Sequence, residues 1–310
     1  MLLETIQLGE PVEHRGIVVT PLFPRRNPVA AYLTLDEALV AGLRVTETSR
    51  SGSVPELAVE NRLEADVLLY DGEELVGAKQ NRILNVTVLV GAKSTLPIPV
   101  SCVEEGRWAW RTERFQAALH ISHTELRRRK AERLQAAPLA RGAAQADVWD
   151  EVRSKAARMG VTSETGANAD TYRHFSRDIR VLERAFPADD GQCGAVLSLG
   201  DRHCLDAVSR PGAFARLWPK LRSGYLLDAL ELLDRDPATT AGVERFVAAV
   251  NGALMAREPS AGRGEDLRLR GTGVVGGGLE LDGELLQVSA FTSDGGARSG
   301  RIARPSRRHA

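Results

Sequence analysis

Two short polar segments hold the side chains best suited to chemistry in this sequence. The first is a run of four long or amide side chains, Lys79, Gln80, Asn81 and Arg82. The second, residues 102–108, adds a carboxylate, a guanidinium and an indole, those of Glu104, Arg107 and Trp108. A guanidinium fork matches phosphate or carboxylate, amides bond to hydroxyls, and an indole face can stack on a ring. The two segments therefore predict a binding site for an anionic small molecule.

A structural network is the alternative interpretation of the same side chains. Arg82 or Arg107 could pair with a nearby carboxylate and tie the two segments together. The acidic candidates are Glu73, Glu74 and Glu104. In that case the protein would be a non-enzymatic scaffold or interaction module. The residue types fit both interpretations equally.

The backbone of the first segment decides which of its side chains can act together. In a β-strand, successive side chains point to opposite faces. Lys79 and Asn81 would then share one face, and Gln80 and Arg82 the other. Either pair could meet an anionic ligand that also offers several hydrogen-bonding groups.

Signals for catalysis are weaker than those for binding. A hydrolase could use Glu73 or Glu104 as a general base that orients water. No second carboxylate or metal motif stands at a diagnostic spacing from either residue. Cys102 lies in the apolar sequence PVSCV, which is typical of a small buried thiol rather than a nucleophile. His203 and Cys204 would point to opposite faces of a strand, so they cannot act as a base and nucleophile pair.

The remaining motifs favour structural roles. The glycines of residues 271–276 match GxGxxG, but a strand-like run follows them, which favours a turn between strands over a dinucleotide site. The basic run at 127–130 would spread around a helix, which favours a solvated surface over a nucleic-acid contact. His120 and His123 are interpreted as surface or hydrogen-bonded histidines rather than metal ligands. The sequence predicts no metal site and identifies no cofactor.

The composition indicates a globular, intracellular protein. Of 310 residues, 43% are hydrophobic and 26% are charged, and the 41 basic and 41 acidic residues cancel. A net charge of zero argues against a global attraction to nucleic acid or membranes. The N-terminal segment does not fit a signal peptide, and no run approaches the roughly 18 apolar residues that span a bilayer. Three cysteines without a CxxC pair suit a reducing compartment, so we expect a cytoplasmic protein.

Residues 1–110 are predicted to form a β-rich part that contains both polar segments. Its strand-like runs are 16–22, 67–70, 83–90 and 96–103. Asp71-Gly72 predicts a hairpin turn, and two prolines place the last run at an edge or a bulge. Asp36 is the predicted N-cap of a short helix. These patterns are typical of an antiparallel, sandwich-like assembly.

Helical patterns begin after Trp110. Residues 111–188 are predicted to be a helical insertion, with helices at 124–135, 143–159 and 169–186. Residues 189–294 are predicted to be an α+β part that completes the same domain. Its elements are a hairpin at Gly200-Asp201, a helix from 211 that Pro219 kinks or splits, and a helix at 239–255. The arginine-rich residues 295–310 are predicted to be a disordered tail, and the predicted fold class is α+β.

The sequence DGEELVGAKQNR, followed by PVSCVEEGRW, resembles a family of largely uncharacterised bacterial proteins. It is the ARG and Rhodanese-Phosphatase-superfamily-associated protein domain family, also treated as a domain of unknown function. The resemblance extends from near residue 10 to near residue 291, and its specific part is 71–108. The candidate positions that it implies are Gly77, Lys79, Gln80, Asn81, Arg82, Cys102, Glu104, Gly106, Arg107 and Trp108.

The name of this family implies a functional setting rather than a reaction. It implies association with ADP-ribosylglycohydrolases and with rhodanese/phosphatase proteins, hence a role near ADP-ribose or NAD metabolism. The resemblance implies no catalytic residues. The leading hypothesis is therefore binding of an anionic small molecule of the ADP-ribose or NAD class, with an interaction module and an ADP-ribosyl hydrolase as alternatives.

Overall fold

The computed structural model describes residues 2–136, 145–233 and 236–293. The tail predicted to be disordered, 295–310, lies outside the described residues. The described part is an α+β structure, as predicted, built mostly of antiparallel sheets. No helix in these ranges is both long and apolar enough to cross a membrane.

The strands are numbered in chain order. They are β1 (Ile6–Leu8), β2 (Val12–His14), β3 (Ile17–Pro24), β4 (Tyr32–Thr34), β5 (Arg44–Glu47), β6 (Glu56–Asn61), β7 (Asp66–Leu69), β8 (Glu73–Gly77), β9 (Arg82–Leu84), β10 (Val88–Val90), β11 (Ser94–Cys102), β12 (Phe115–Ile121), β13 (Gly194–Leu199), β14 (Arg202–Val208), β15 (Leu254–Pro259), β16 (Glu265–Gly271), β17 (Val274–Leu281) and β18 (Glu284–Thr292).

The helices are numbered in the same way. They are α1 (Leu2–Thr5), α2 (Leu35–Ala41), α3 (Thr124–Ala136), α4 (Gln145–Arg158), α5 (Asn168–His174), α6 (Ser176–Glu183), α7 (Pro211–Ala229) and α8 (Thr240–Asn251). The predicted helix at 169–186 is thus two helices that meet at Phe175.

The largest sheet joins the beginning of the chain to its C-terminal half. Its order is β1-β3-β13-β14-β18-β17-β16-β15, and β2 pairs with β3. Both faces are covered, because Ala195 packs in a cluster with α7 while its neighbour Val196 packs in a cluster with α8. This double burial explains why the β13 sequence is a continuous apolar run rather than an alternating one. The predicted hairpin between β13 and β14 is confirmed, with Leu199 opposite Arg202.

Two smaller sheets complete the N-terminal part, and the larger of them carries both polar segments. The six-stranded sheet has the order β12-β8-β9-β11-β6-β5, and the three-stranded sheet has the order β10-β7-β4. They share one apolar cluster, in which Val67 and Val88 of the smaller sheet pack with Leu75 and Val100 of the larger one. The strand β12 was not predicted from the sequence; it pairs with β8 and brings residues 115–121 beside the first polar segment.

Several local predictions differ from the structure. Asp71-Gly72 does not close a hairpin, since β7 and β8 belong to different sheets and the chain crosses between them there. Gly72 nevertheless has the positive φ, +82°, that the turn signal predicted. The run 83–90 also divides between two sheets, as β9 and β10. In both cases the local pattern marks extended chain, while the partner strands are chosen by long-range packing.

The helix boundaries also agree with the predictions only in part. The N-cap of α2 is Thr34 rather than the expected Asp36, because Glu37 Oε2 accepts the Thr34 backbone N–H at 2.9 Å and completes a capping box. Helix α7 continues through Pro219 without splitting. Neighbours such as Phe214 and Leu221 are buried on either side of the proline, and their packing offsets the lost hydrogen bond.

The basic run on α3 is only partly exposed, which corrects the prediction of a solvated surface for two of its residues. The side chains of Arg128 and Arg129 are 19% and 37% exposed. Arg127 and Lys130 are three residues apart on one helical face and are 1% and 2% exposed. Arg127 Nη1 and Nη2 donate to Asp206 at 2.8 and 2.6 Å. Lys130 Nζ donates to Asp71 at 2.6 Å. These pairs join α3 to the largest sheet and to the start of β8.

Candidate functional site

Residues 78–81 form the loop between β8 and β9, so only Arg82 of the first polar segment lies in a strand. Gly77 and Ala78 have φ angles of +129° and +39°, which end β8 and turn the chain inward. A Cβ on Gly77 would lie 2.5 Å from Thr112 Oγ1, so the position excludes any side chain. The predicted alternation of faces along residues 79–82 is therefore wrong. All four side chains point into the protein and are at most 8% exposed.

Arg107 closes this loop from the second polar segment. Its Nη1 donates to the carbonyls of Ala78 and Ala109, both at 2.8 Å, and its Nη2 donates to the Gly77 carbonyl at 3.2 Å. The same Nη2 lies 2.6 Å from Glu104 Oε2. The pair is buried, so Arg107 acts as a clamp on the loop backbone, as the structural hypothesis predicted.

Glu104 is held as a carboxylate by its neighbours. Burial alone would raise its pKa, but hydrogen bonds from Arg107, from the Asn81 backbone N–H at 3.1 Å and from Thr165 outweigh it, and the pKa lies below its ordinary value. The adjacent Gly106 packs against Thr165, whose Cα would lie 3.0 Å from an added Cβ. A carboxylate with these partners has little basicity, so its role is to anchor the turn.

The two amides extend the same network. Gln80 Nε2 donates to the Glu104 carbonyl at 2.9 Å. Asn81 Nδ2 donates to Glu74 Oε1 at 3.2 Å, and Glu74 Oε2 is bonded to His120 Nε2 at 2.9 Å. His120 is thus a hydrogen-bonded histidine, as expected. The side-chain amides of Gln80 and Asn81 are engaged in these hydrogen bonds, which link the loop to β8 and β12.

Arg82 has the most unfilled hydrogen-bonding capacity in the cluster, although Nε of Arg107 also lacks a partner within the described ranges. It is 0% exposed, and its Nη1 donates to Gln80 Oε1 at 3.0 Å. Within the described ranges, its Nε and Nη2 have no hydrogen-bond partner. The neighbouring carboxylate, Glu47, is 3.9 Å from Nη2, and its Oε2 has no partner in these ranges either. Burial lowers the pKa of Arg82, although the guanidinium remains charged.

Tryptophan and lysine cover Arg82 on the solvent side. The ring centre of Trp108 lies 5.5 Å from Arg82 Cζ and 5.0 Å from Lys79 Nζ. Trp110 lies 5.5 Å from the same Nζ. The two indoles are 47% and 49% exposed, so each presents a face to solvent above a buried cation.

A second cover comes from the segment between β5 and β6. Lys79 Nζ donates to the Ser51 carbonyl at 2.7 Å. Gly52 has φ +78°, and a Cβ there would lie 3.1 Å from the Trp108 ring and 3.3 Å from Glu47 Oε2. Residues 48–55 therefore close directly over Lys79, Glu47 and Trp108. The arrangement is a small enclosed polar site: two cations, one carboxylate and an aromatic cover.

Comparison with known families gives one match. A model of the ARG and Rhodanese-Phosphatase-superfamily-associated Protein domain matches residues 5–291. The chain belongs to this family. The match includes every candidate site residue and confirms the resemblance seen in the sequence. No curated protein and no solved structure matches the chain.

Within this family member, the structure separates the predicted residues into two groups. Lys79, Arg82 and Trp108 form the enclosed site described above. The other four predicted residues form the network that supports it: Gln80, Asn81, Glu104 and Arg107. Glu73 belongs to neither group, because its carboxylate accepts from Lys220 Nζ at 3.1 Å.

Cys102 is a buried thiol, as predicted. It is 0% exposed and lies opposite Arg82 in the pairing of β11 with β9. Burial raises its pKa, which opposes nucleophilic use. Gln145 holds its backbone through bonds of 2.8 Å to the N–H and 2.7 Å to the carbonyl.

Sequence reasoning missed Glu47 and the covering segment. Glu47 ends β5, well before Arg82 in the chain, and nothing in its local sequence distinguishes it from other strand-end acids. Gly52 could have indicated the covering segment, since it lies in a stretch rich in turn-forming residues. In the described part of the chain, no group of three or more His, Cys, Asp and Glu side chains is arranged to hold a metal ion.

Proposed function

We propose that the protein binds a small anionic molecule at the site formed by Lys79, Arg82 and Glu47 beneath Trp108. The observation that carries this proposal is the bonding state of Arg82. A buried donor left without a partner costs about 1–3 kcal/mol, and more when it is charged. An anion that accepted hydrogen bonds from Nε and Nη2 of Arg82 would remove this cost.

The charge of the site favours an anion. Glu104 and Arg107 neutralise each other at 2.6 Å, so they add no net charge. Lys79 and Arg82 then face the single carboxylate of Glu47. A phosphate or carboxylate group could accept from the free Nε and Nη2 of Arg82, which are spaced for bidentate binding. Lys79 supplies a second positive charge from the side of the covering segment.

The exposed indoles suggest the rest of the ligand. A flat ring could stack on the solvent face of Trp108 or Trp110, each about half exposed. ADP-ribose and NAD combine phosphates with a purine ring, and the family's name supports the same class by association. The proposed ligand is therefore an ADP-ribose-like or NAD-related nucleotide in the cytoplasm.

Entry to this site requires a local rearrangement. Arg82 has no exposed surface, so a ligand must displace the Ser51 carbonyl from Lys79 and move residues 48–55 away from Trp108. The conformational freedom of Gly52, whose φ is +78°, would assist this movement.

Calorimetric titration with ADP-ribose, NAD, AMP and inorganic phosphate tests the proposal. We expect binding to the parent protein and at least about tenfold weaker binding to Arg82→Lys and Lys79→Met, which lose the fork or the charge but keep most of the volume. Arg153→Lys, on an exposed helix face, is the control and should bind as the parent does. No binding at millimolar ligand by folded protein, or equal binding by all variants, would reject the proposal.

An interaction module is the second candidate, and one observation favours it. Trp108 and Trp110 both lie near Lys79 Nζ and are about half exposed, and tryptophans are common anchors of protein interfaces. On this hypothesis Trp110→Ala weakens binding to a protein partner. Titration of the protein with nucleotides then gives no heat of binding. A hydrolase using Glu73 or Glu104 gains no support, since both carboxylates are bonded to cations.

A further inference from the structure

Two tryptophans share one part of the protein surface, outside the buried Arg82 site. Trp108 and Trp110 are each about half exposed. Both rings lie against Nζ of Lys79, whose side chain is buried, at 5.0 and 5.5 Å from their centres. The two indoles therefore cover the same cation on their inner side, and the rest of each ring faces solvent. Such a pair can contact two flat groups of one partner.

The backbone that carries the two indoles is held in place. The N–H of Ala109 donates to the Lys79 carbonyl at 3.2 Å, and the N–H of Arg111 donates to the Ala78 carbonyl at 2.9 Å. The Ala109 carbonyl accepts from Nη1 of Arg107 at 2.8 Å. A partner therefore meets rings on a backbone that is already fixed, which lowers the entropic cost of binding.

The segments that carry and cover the indoles, residues 108–114 and 48–55, are positively charged. They hold three exposed arginines and one exposed carboxylate, those of Arg50, Arg111, Arg114 and Glu113. The side chain of Arg111 is 56% exposed, and its Nη2 lies 3.7 Å from Oε1 of Glu104, beyond hydrogen-bonding range. The chain as a whole has no net charge, so this excess of cations is local. It favours an anionic partner at this surface.

We propose that this surface binds single-stranded nucleic acid, with bases stacked on the indoles and phosphates beside the arginines. Every base has a face that can stack on an indole, and arginines beside such rings attract the sugar-phosphate chain, so the combination binds single strands of any sequence. A duplex suits the surface less well, because its bases are stacked on each other. The excess of arginines favours a polyanion over a protein partner. The contact uses exposed side chains only, so it does not depend on a ligand reaching Arg82.

Fluorescence anisotropy with labelled strands of about 12 nucleotides and no terminal phosphate tests the proposal. We expect a thymidine strand of DNA and a uridine strand of RNA both to bind. An abasic strand of the same charge should bind at least about tenfold more weakly, because it cannot stack, and a duplex at least about fivefold more weakly. Three phosphate contacts predict a slope of about −2 for the logarithm of the association constant against that of the salt concentration.

Substitutions separate the stacking from the charge. Trp110→Leu should weaken binding of the single strands about tenfold, whereas Trp110→Phe keeps an aromatic ring and should cost less than about threefold. Arg114→Gln should weaken the thymidine, uridine and abasic strands alike and reduce the salt slope by about 0.7. A thermal melt of each variant beside the parent establishes that it is folded.

The control variants remove the same kinds of side chain elsewhere on the surface. Leu254→Ala and Arg202→Gln alter an exposed apolar residue of β15 and an exposed cation of β14, and both should bind the strands as the parent does. The proposal is overturned if the folded parent binds no single strand, if the abasic strand or the duplex binds as tightly as the thymidine strand, or if Trp110→Leu and Arg114→Gln both bind like the parent. Titration with ADP-ribose reports on the Arg82 site separately, so either proposal can fail alone.

Discussion

Nη2 of Arg82 lies 3.9 Å from Oε1 of Glu47, although both side chains are almost wholly buried. This distance is beyond hydrogen-bonding range. The equally buried Arg107 lies 2.6 Å from Glu104 and donates to three backbone carbonyls. The two arginines therefore differ in their bonding: Arg107 holds the loop backbone, whereas Nε and Nη2 of Arg82 have no partner among the described residues.

The two arginines should differ in their contribution to stability. Arg107→Met should lower the free energy of unfolding by about 3–5 kcal/mol, because it leaves Glu104 buried and unpaired. Arg82→Met should cost less than Arg107→Met, since Arg82 lies 3.9 Å from the buried Glu47 and makes a single hydrogen bond, to Gln80. Urea denaturation of both variants measures the difference. Equal losses would show that Arg82 is structural and would favour the interaction-module hypothesis.

The bidentate pair of Arg127 with Asp206 should be among the strongest supports of the fold. Tyr70 and Tyr225 also donate to Asp206, at 2.7 and 2.6 Å, so the carboxylate joins three separate parts of the chain. Arg127→Met should destabilise the protein by about 3–5 kcal/mol. Arg133→Met, on the same helix but 52% exposed, should change stability by less than about 1 kcal/mol. Similar melting temperatures for the two variants would contradict this assignment.

The same carboxylate should make stability depend on pH. Burial would raise the pKa of Asp206, but the charge and hydrogen bonds of Arg127 outweigh burial and hold the pKa below its ordinary value. A depressed folded-state pKa adds stability above the unfolded pKa, about 3.9 for aspartate, and this stability is lost as the pH falls through the folded value. Asp206→Asn should therefore be less stable than the parent at pH 7, and the gap should narrow below about pH 4. A gap that stays constant from pH 7 to pH 3 in urea titrations would disprove the linkage.

Gly77 should tolerate no side chain. Its φ is +129°, and an added Cβ would lie 2.5 Å from Thr112 Oγ1 and 3.0 Å from the Arg114 carbonyl. Gly77→Ala should cost about 2 kcal/mol or more and should weaken anion binding, because the loop that carries Lys79 and Arg82 must shift. Gly212→Ala is the matched control and should be neutral or slightly stabilising, since it lies in α7 with open space around it. Thermal unfolding of the two variants provides the comparison.

Local patterns in the sequence predicted much of the secondary structure. The hairpin at Gly200-Asp201 and the strand beginning near Ile17 appear as predicted. The predicted glycine-rich turn is confirmed around Gly273, whereas Gly276 lies inside β17. Each depends on backbone preferences and on burial patterns within a few residues, which the sequence displays directly. The choice of 71–108 as the specific region also came from the sequence, through a dense group of polar side chains beside apolar strands.

The sequence by itself determined the α+β class, the family and the residues from which a site could be built. Tertiary structure alone decided which of them have their hydrogen bonds filled and which do not. In the folded protein the side chains of residues 79–82 point inward, and Arg107 donates to the Ala78 carbonyl. Glu47 lies near Arg82, and Arg127, expected at the surface, is buried in the core. The bond of Arg107 to Ala78 joins residues 29 positions apart, and that of Arg127 to Asp206 joins residues 79 positions apart. Burying a charged side chain costs free energy, and this cost is offset only when such a distant partner is in place.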